Sequence, residues 1–250
     1  MELEKKGSIL YYLPYISMKN KECAVLFSGG IDSTTALYWA LKQYDKVHSL
    51  TFDYGQRHKL ELKMARQLAL KLKVPHNVLR IDLSQIGGSS LTDKNLPLPQ
   101  HERLEEIQES PPSTYVPFRN GIFLALAAAW IEVKGIKEIV CGFNVIDSPH
   151  YPDTQEEFVK AMEKTVNLGS RAYFTPEQIK INTPFMNLKK SEVIKKGLSL
   201  GADYSYSLSC YSGTEIPCRK CSSCLWRQKA WEELGLKDHL ILRLEKEGKI

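Results

Sequence analysis

Short apolar runs alternate with stretches of helical periodicity along this chain, and that alternation leaves few folds open. Strand-like runs lie at 23–27, 47–52, 76–81 and 138–142, with a weaker one at 179–182. Apolar residues at helical spacing predict helices over 33–43, 59–72, 118–134, 155–168, 190–200 and 225–234. Strands and helices in alternation make a parallel sheet with helices on both faces. Two regions break the pattern. Residues 84–117 are rich in Pro, Ser and Gly, and a loop of that length in a compact domain is commonly functional or mobile. Residues 201–224 are irregular and hold four cysteines. The chain therefore divides into an N-terminal extension of unassigned role (1–20), an α/β domain (21–200) and a C-terminal region (201–250).

The first strand-to-helix junction reads Phe27-Ser28-Gly29-Gly30-Ile31-Asp32-Ser33-Thr34. Glycines there let backbone N–H groups approach an anion, and the helix N-terminus adds partial positive charge. Ser28, Ser33 and Thr34 carry hydroxyls for phosphate oxygens. Asp32 has two readings: it meets the phosphates through Mg²⁺, or it shares with Ser33 the role of helix N-cap. The string lacks the lysine of a Walker A motif. On the glycines alone, a capped turn without a ligand is the alternative.

Other candidates follow later strands. Arg57, His58 and Lys59 lead into the second helix. Arg119 and Asn120 begin a long helix after Pro117, where a guanidinium can bind a carboxylate or phosphate in bidentate fashion. Asp147, Tyr151 and Asp153 come after the fourth strand, and open α/β sheets bind ligands beyond the carboxyl ends of their strands. Asp153 alternatively begins the next helix. The stripe Phe118, Ile122, Leu126 and Trp130 reads as core.

Of six cysteines, Cys23 and Cys141 sit in strand-like contexts, whereas Cys210, Cys218, Cys221 and Cys224 fall within fifteen residues. Two overlapping Cys-x-x-Cys units and one upstream cysteine suit a structural tetrahedral zinc site. A loop with so little apolar material gains its order from such a metal. An iron–sulfur cluster shares the spacing. Arg219, Lys220 and Arg227 offset thiolate charge or face water. A net charge of +5 without a dominant basic block does not demand nucleic acid. The chain opens without a signal-peptide pattern, and its longest apolar run, 121–133, is short for a bilayer. A cytoplasmic protein with neither a membrane nor a direct nucleic-acid partner is expected.

The Ser-Gly-Gly-x-Asp-Ser string resembles the signature of the N-type ATP pyrophosphatases, the PP-loop superfamily. "FSGGIDSTT", "FDYGQRH", "PSTYVPFRN", "YPDTQEEF", "TVNLGSR", "NTPFMNLKKSE" and the four cysteines together, collinear over about residues 23–230, resemble the 7-cyano-7-deazaguanine synthase family. The resemblance implies a Rossmann-like, doubly wound, mostly parallel sheet of the adenine nucleotide alpha hydrolase kind. A small zinc-binding helical region would follow it. It implies an ATP-dependent ligase that turns 7-carboxy-7-deazaguanine and ammonia into the nitrile, through an acyl-adenylate, an amide and an adenylated amide. The implied ATP-binding residues are Phe27, Ser28, Gly29, Gly30, Ile31, Asp32, Ser33, Thr34, Thr35, Ala36 and Leu37, with Arg57 and Asn120. Arg57, His58, Asp147, Tyr151 and Asp153 are the implied substrate contacts. Asp32, Lys190 and Arg119 are implied to be catalytic, with Lys190 rather than Lys189 beside the α-phosphate. Mg²⁺ for catalysis, one structural Zn²⁺ on Cys210, Cys218, Cys221 and Cys224, and a homodimer complete the expectation. The chain departs from the family pattern at Pro149-His150 and Thr154-Gln155. The alternatives are another PP-loop enzyme, for tRNA thiolation or amidation, and a zinc-knuckle RNA-binding protein.

Overall fold

The computed structural model describes residues 21–107, 111–146 and 150–250. The extension over 1–20 and the candidate Asp147 lie outside the described residues. Five strands form one sheet: β1 (Glu22–Leu26), β2 (Lys46–Asp53), β3 (His76–Arg80), β4 (Glu138–Val140) and β5 (Lys180–Asn182). Their order is β3-β2-β1-β4-β5, and every pair is parallel. Winding runs outward from β1 to β3, then returns to the other side of β1 for β4 and β5. The crevice at the carboxyl ends of β1 and β4 is thus the switch point where open α/β sheets place ligands.

The helices are α1 (Ile31–Gln43), α2 (Leu60–Lys71), α3 (Arg119–Lys134), α4 (Glu156–Leu168), α5 (Lys190–Ser199), α6 (Ser222–Glu233) and α7 (His239–Lys246). Side chains alternate across a strand, so β1 serves two cores. Cys23, Val25 and Phe27 pack with Leu37 of α1, Leu68 of α2, Ile194 of α5 and Trp231 of α6. Ala24 faces the opposite layer, with Leu124 and Ile131 of α3 and Val159 and Met162 of α4. A third cluster joins Met64 of α2 to Leu208, Cys210, Cys221 and Cys224, and to Leu240 and Leu244 of α7.

Three expectations change. The core face of α3 is Leu124, Ala127, Ala128 and Ile131, whereas Phe118 is 53% exposed and Ile122, Leu126 and Trp130 are only partly buried. A strict i, i+4 series drifts about 40° around the helix at each step, so it leaves the core face. Helix α1 begins at Ile31 with Gly30 as its N-cap and no side-chain cap, which puts Asp32 and Ser33 inside the first turn. Arg227 does not face water: its side chain is 4% exposed and paired with Asp238. Among the described residues, no helix is long and apolar enough to cross a membrane.

Candidate active site

The turn between β1 and α1 has the form of an anion cradle. Gly29 takes φ +85°, and a Cβ there would come within 3.2 Å of Ala65 Cβ, so the position requires glycine. Ser33 Oγ accepts from Gly29 N–H (3.1 Å) and donates to the Gly30 carbonyl (3.1 Å). Ser28 Oγ accepts from Gly30 N–H (3.3 Å) and lies 3.1 Å from Ser33 Oγ. The first N–H groups of α1 have no intrahelical acceptors and carry the positive end of the helix dipole.

Beside this cradle, Lys190, the first residue of α5, donates to Asp32 Oδ2 at 2.8 Å. Asp32 Oδ1 is buried and has no hydrogen-bond partner among the described residues. A buried carboxylate oxygen is costly to leave unmatched, and here it stands against an anion-binding turn. Gly142, just past β4, makes this arrangement possible. A Cβ there would lie 2.6 Å from the Asp32 carbonyl, so only glycine lets the switch-point crossing pass against α1.

A cavity of about 300 Å³ opens over the cradle. Phe27, Ser28, Gly30, Ile31, Asp32 and Ser33 line it, together with His58, Arg119, Asn120, Tyr151 and Lys190. Not every expected residue is brought there. Thr35 turns inward to the Tyr204 hydroxyl (2.6 Å), and Ala36 and Leu37 belong to the core. Gly29 backs onto α2, and Thr34 Oγ1 is buried without a partner. The Arg57 guanidinium binds the carbonyls of Ser90 (3.0 Å), Lys94 (3.2 Å) and Leu96 (2.8 Å). It clamps the long loop, whose Leu91 reaches the cavity.

The far wall is aromatic, with Tyr54, Phe123, Phe143, Tyr151 and Tyr211. The Arg119 guanidinium carbon is 5.9 Å from the ring centres of both Tyr54 and Phe123. Burial opposes its charge, but the neighbouring Tyr54 hydroxyl and the Asp153 carboxylate hold its pKa above the ordinary arginine value. Asp153 Oδ2 accepts from Asn120 N–H (2.9 Å). This carboxylate therefore caps α3, not the following helix, and its other oxygen is buried with no partner among the described residues. The preceding Phe118 takes φ +52°, a conformation that costs a non-glycine residue about 1–2 kcal/mol. The Asp153 anchor helps to hold that turn and so to aim Arg119. His58 Nε2 lies 3.1 Å from Glu61 Oε2. Burial lowers the His58 pKa, but the Glu61 carboxylate outweighs it and the net shift is upward.

The sulfurs of Cys210, Cys218, Cys221 and Cys224 lie within 4.8 Å of one another. A tetrahedral zinc with bonds of about 2.3 Å has sulfur–sulfur edges of about 3.8 Å, so small shifts suffice for the cluster to hold the ion. The backbone is already arranged for thiolates: Cys218 N–H and Cys221 N–H donate to the sulfurs of Cys210 and Cys218, each at 3.3 Å.

This region also builds the cavity. Leu208 N–H donates to the Gly29 carbonyl at 3.0 Å. Leu208, Ser209, Tyr211, Ser223 and Arg227 all line the hollow. Arg227 grips Asp238 with two nitrogens (2.5 and 2.7 Å) and donates to the Ser207 carbonyl (2.8 Å). Sequence reading assigned none of these residues to the site. Tyr54 stood in a quoted motif without a role, and the one local sign for Tyr211 was its place next to Cys210.

Comparison with known proteins gives a consistent set. The family described as queuosine biosynthesis protein QueC matches residues 22–235. A 7-cyano-7-deazaguanine synthase of Thermoplasma acidophilum is 43% identical over 223 residues, covering 89% of this chain and 92% of that protein. One of Nostoc punctiforme is 40% identical over 221 residues, covering 88% and 99%. One of Cellvibrio japonicus is 40% identical over 224 residues, covering 88% and 97%.

Proposed function

The chain belongs to the 7-cyano-7-deazaguanine synthase family, and from that premise we propose that its cavity turns 7-carboxy-7-deazaguanine, ammonia and ATP into the nitrile, AMP and pyrophosphate. The observation that carries the reading is the Asp32–Lys190 pair beside an anion cradle, facing an aromatic hollow. A carboxylate oxygen is a poor leaving group. Attack on the α-phosphorus of ATP makes it part of an adenylate, and pyrophosphate departs. Ammonia then displaces AMP to leave the amide. The amide oxygen attacks a second ATP, and loss of AMP with the remaining nitrogen protons leaves the nitrile. One cradle serves both activations, because both attack the same phosphorus.

Each role follows from a position. Gly30, Ser28 and Ser33 hold the departing pyrophosphate with N–H and hydroxyl donors. Lys190 meets the α-phosphate, and its bond to Asp32 keeps the ammonium aimed into the cavity. The free Asp32 oxygen fits a magnesium ion, which binds through carboxylate and phosphate oxygens and would neutralise charge on the leaving group. Arg119 orients the substrate carboxylate, Asn120 lines the nucleotide side, and Tyr151 faces the heterocycle. Zinc on the four cysteines is structural, because four thiolates leave no open coordination position. A thiolation reading is disfavoured: Cys23 and Cys141 are fully buried, and burial pushes the Cys23 thiol up to about 12. The proposal has the enzyme work in the cytoplasm as a homodimer, with ammonia from solution or from a partner.

The test is to incubate the protein with ATP, Mg²⁺, ammonium and 7-carboxy-7-deazaguanine and follow products by mass. Two AMP per nitrile, with a transient amide, is the expected result. Release of ADP, or no nucleotide turnover, would overturn the reading.

A further inference from the structure

We propose that His58, held by Glu61, is the seat for ammonia in this cavity, separate from the wall that faces the heterocycle. The inference rests on the substrate reading above, and it gives a place to the one reactant which that reading leaves without a residue. His58 and Glu61 both line the cavity, yet their side chains are only 6% and 16% exposed. A buried imidazole and carboxylate must have their hydrogen bonds accounted for.

That accounting leaves one atom free. Gln56 Nε2 donates to Glu61 Oε1 (3.1 Å) and to the Phe52 carbonyl (3.2 Å), while Gln56 Oε1 accepts from Tyr54 N–H (2.8 Å). Glu61 is thereby tied to the end of β2. Its other oxygen, Oε2, lies 3.1 Å from His58 Nε2. A carboxylate only accepts, so Nε2 carries the hydrogen, and in the neutral ring Nδ1 is left as a lone pair. That Nδ1 is buried and has no partner among the described residues. Gly213 holds the residue from the loop side: a Cβ there would fall 2.5 Å from His58 Cβ.

A fixed, unmet acceptor in a cavity calls for an N–H donor, and the surroundings select which. The pair stands between the two features that handle the reacting carboxyl. On one side is the cradle, where a Cβ on Gly29 would come within 3.3 Å of the Glu61 carbonyl. On the other, Gln56 fixes Tyr54, and the Arg119 guanidinium carbon is 5.9 Å from the Tyr54 ring centre. A carboxyl oriented by Arg119 and activated over the cradle has its carbon between them, on the side the pair occupies. Ammonia bonded to Nδ1 through one N–H keeps its own lone pair for that carbon, which is the gain from positioning a small nucleophile. The run from Gln56 through Glu61 to the ring polarises the acceptor and strengthens the bond.

His58→Gln keeps an N–H for Glu61 and removes the ring acceptor. The expected variant melts near the wild type. Its KM for ammonium rises about tenfold, with KM for ATP and for 7-carboxy-7-deazaguanine within about twofold, as for one lost hydrogen bond. An unchanged KM for ammonium would overturn the inference. So would an equal or larger rise in KM for the heterocycle, which would give the pair to the base edge instead. A second measurement uses the unaltered protein. The His58 Nδ1 resonance in nitrogen NMR should move as ammonium is added at fixed pH and ionic strength, and stay still with sodium. No movement, or the same movement with sodium, refutes the seat even where His58→Gln does not fold. That measurement also stands if the wild type makes no nitrile, a result that would remove the substrate reading alone.

Discussion

At the scale of single residues, the site holds its charges in pairs, Lys190 on Asp32 and His58 on Glu61. Lys190 and Asp32 are both mostly buried, so removing the ammonium strands the Asp32 carboxylate without its ion-pair partner. Lys190→Met should lower the rate of pyrophosphate exchange into ATP by about 10²–10³, the usual effect of losing one preorganised electrostatic contact at a developing charge. It should leave KM for the heterocycle nearly unchanged, which steady-state kinetics can check. His76 offers a pH prediction outside the site. Its Nδ1 lies 2.9 Å from Ser49 Oγ, and its Nε2 is buried without a partner. Burial, aided by the positive charge of Arg66, lowers its pKa. A histidine lowered on folding stays neutral while the unfolded chain takes a proton, so stability falls as pH drops through about 6.5. Urea midpoints at pH 7.5 and 5.5 should differ more for the wild type than for His76→Gln.

At the scale of elements, the crossing of the β4 end over the start of α1 governs the cradle. Gly142→Ala forces a methyl against the Asp32 backbone, and overpacking of this kind costs about 1–3 kcal/mol. Denaturant melts should register that loss, and kcat/KM for ATP should fall further than stability alone explains, because Asp32 is displaced. The sequence made the elements legible through period and length: all five strands and helices α1–α6 stand where alternation predicts them. Their ends were less legible, since caps depend on tertiary partners. Asp32 looked like a cap for its own helix, but its carboxylate is drawn to a lysine 158 positions away. Asp153 caps α3, 33 positions earlier. Helix α7 escaped notice because it is a single eight-residue amphipathic turn-pair, anchored by the Asp238 cap and the burial of Leu240 and Leu244. Arg57 illustrates the limit for site residues: a motif shows that a guanidinium is present, and only the fold reveals that three carbonyls occupy it.

At the scale of the whole molecule, one buried ion pair locks the C-terminal helices beneath the cavity. Arg227 and Asp238 are 4% and 12% exposed. Breaking such a pair from one side costs about 3–5 kcal/mol, chiefly because the remaining charge is stranded. Asp238→Ala also removes the N-cap of α7, so its loss in urea should reach at least that range, with activity reduced even where the variant stays folded. The Leu208–Gly29 bond has a consequence for biosynthesis. All five strands of the sheet are made by Asn182, whereas the segment that closes over the cradle comes only after residue 200. A nascent chain therefore finishes its scaffold while the proposed nucleotide site still lacks one side. Ribosome-stalled products ending near residue 200 should leave ATP intact, and full-length release should start turnover. A segment translated after the sheet acts as the licence for the loop after β1 to work.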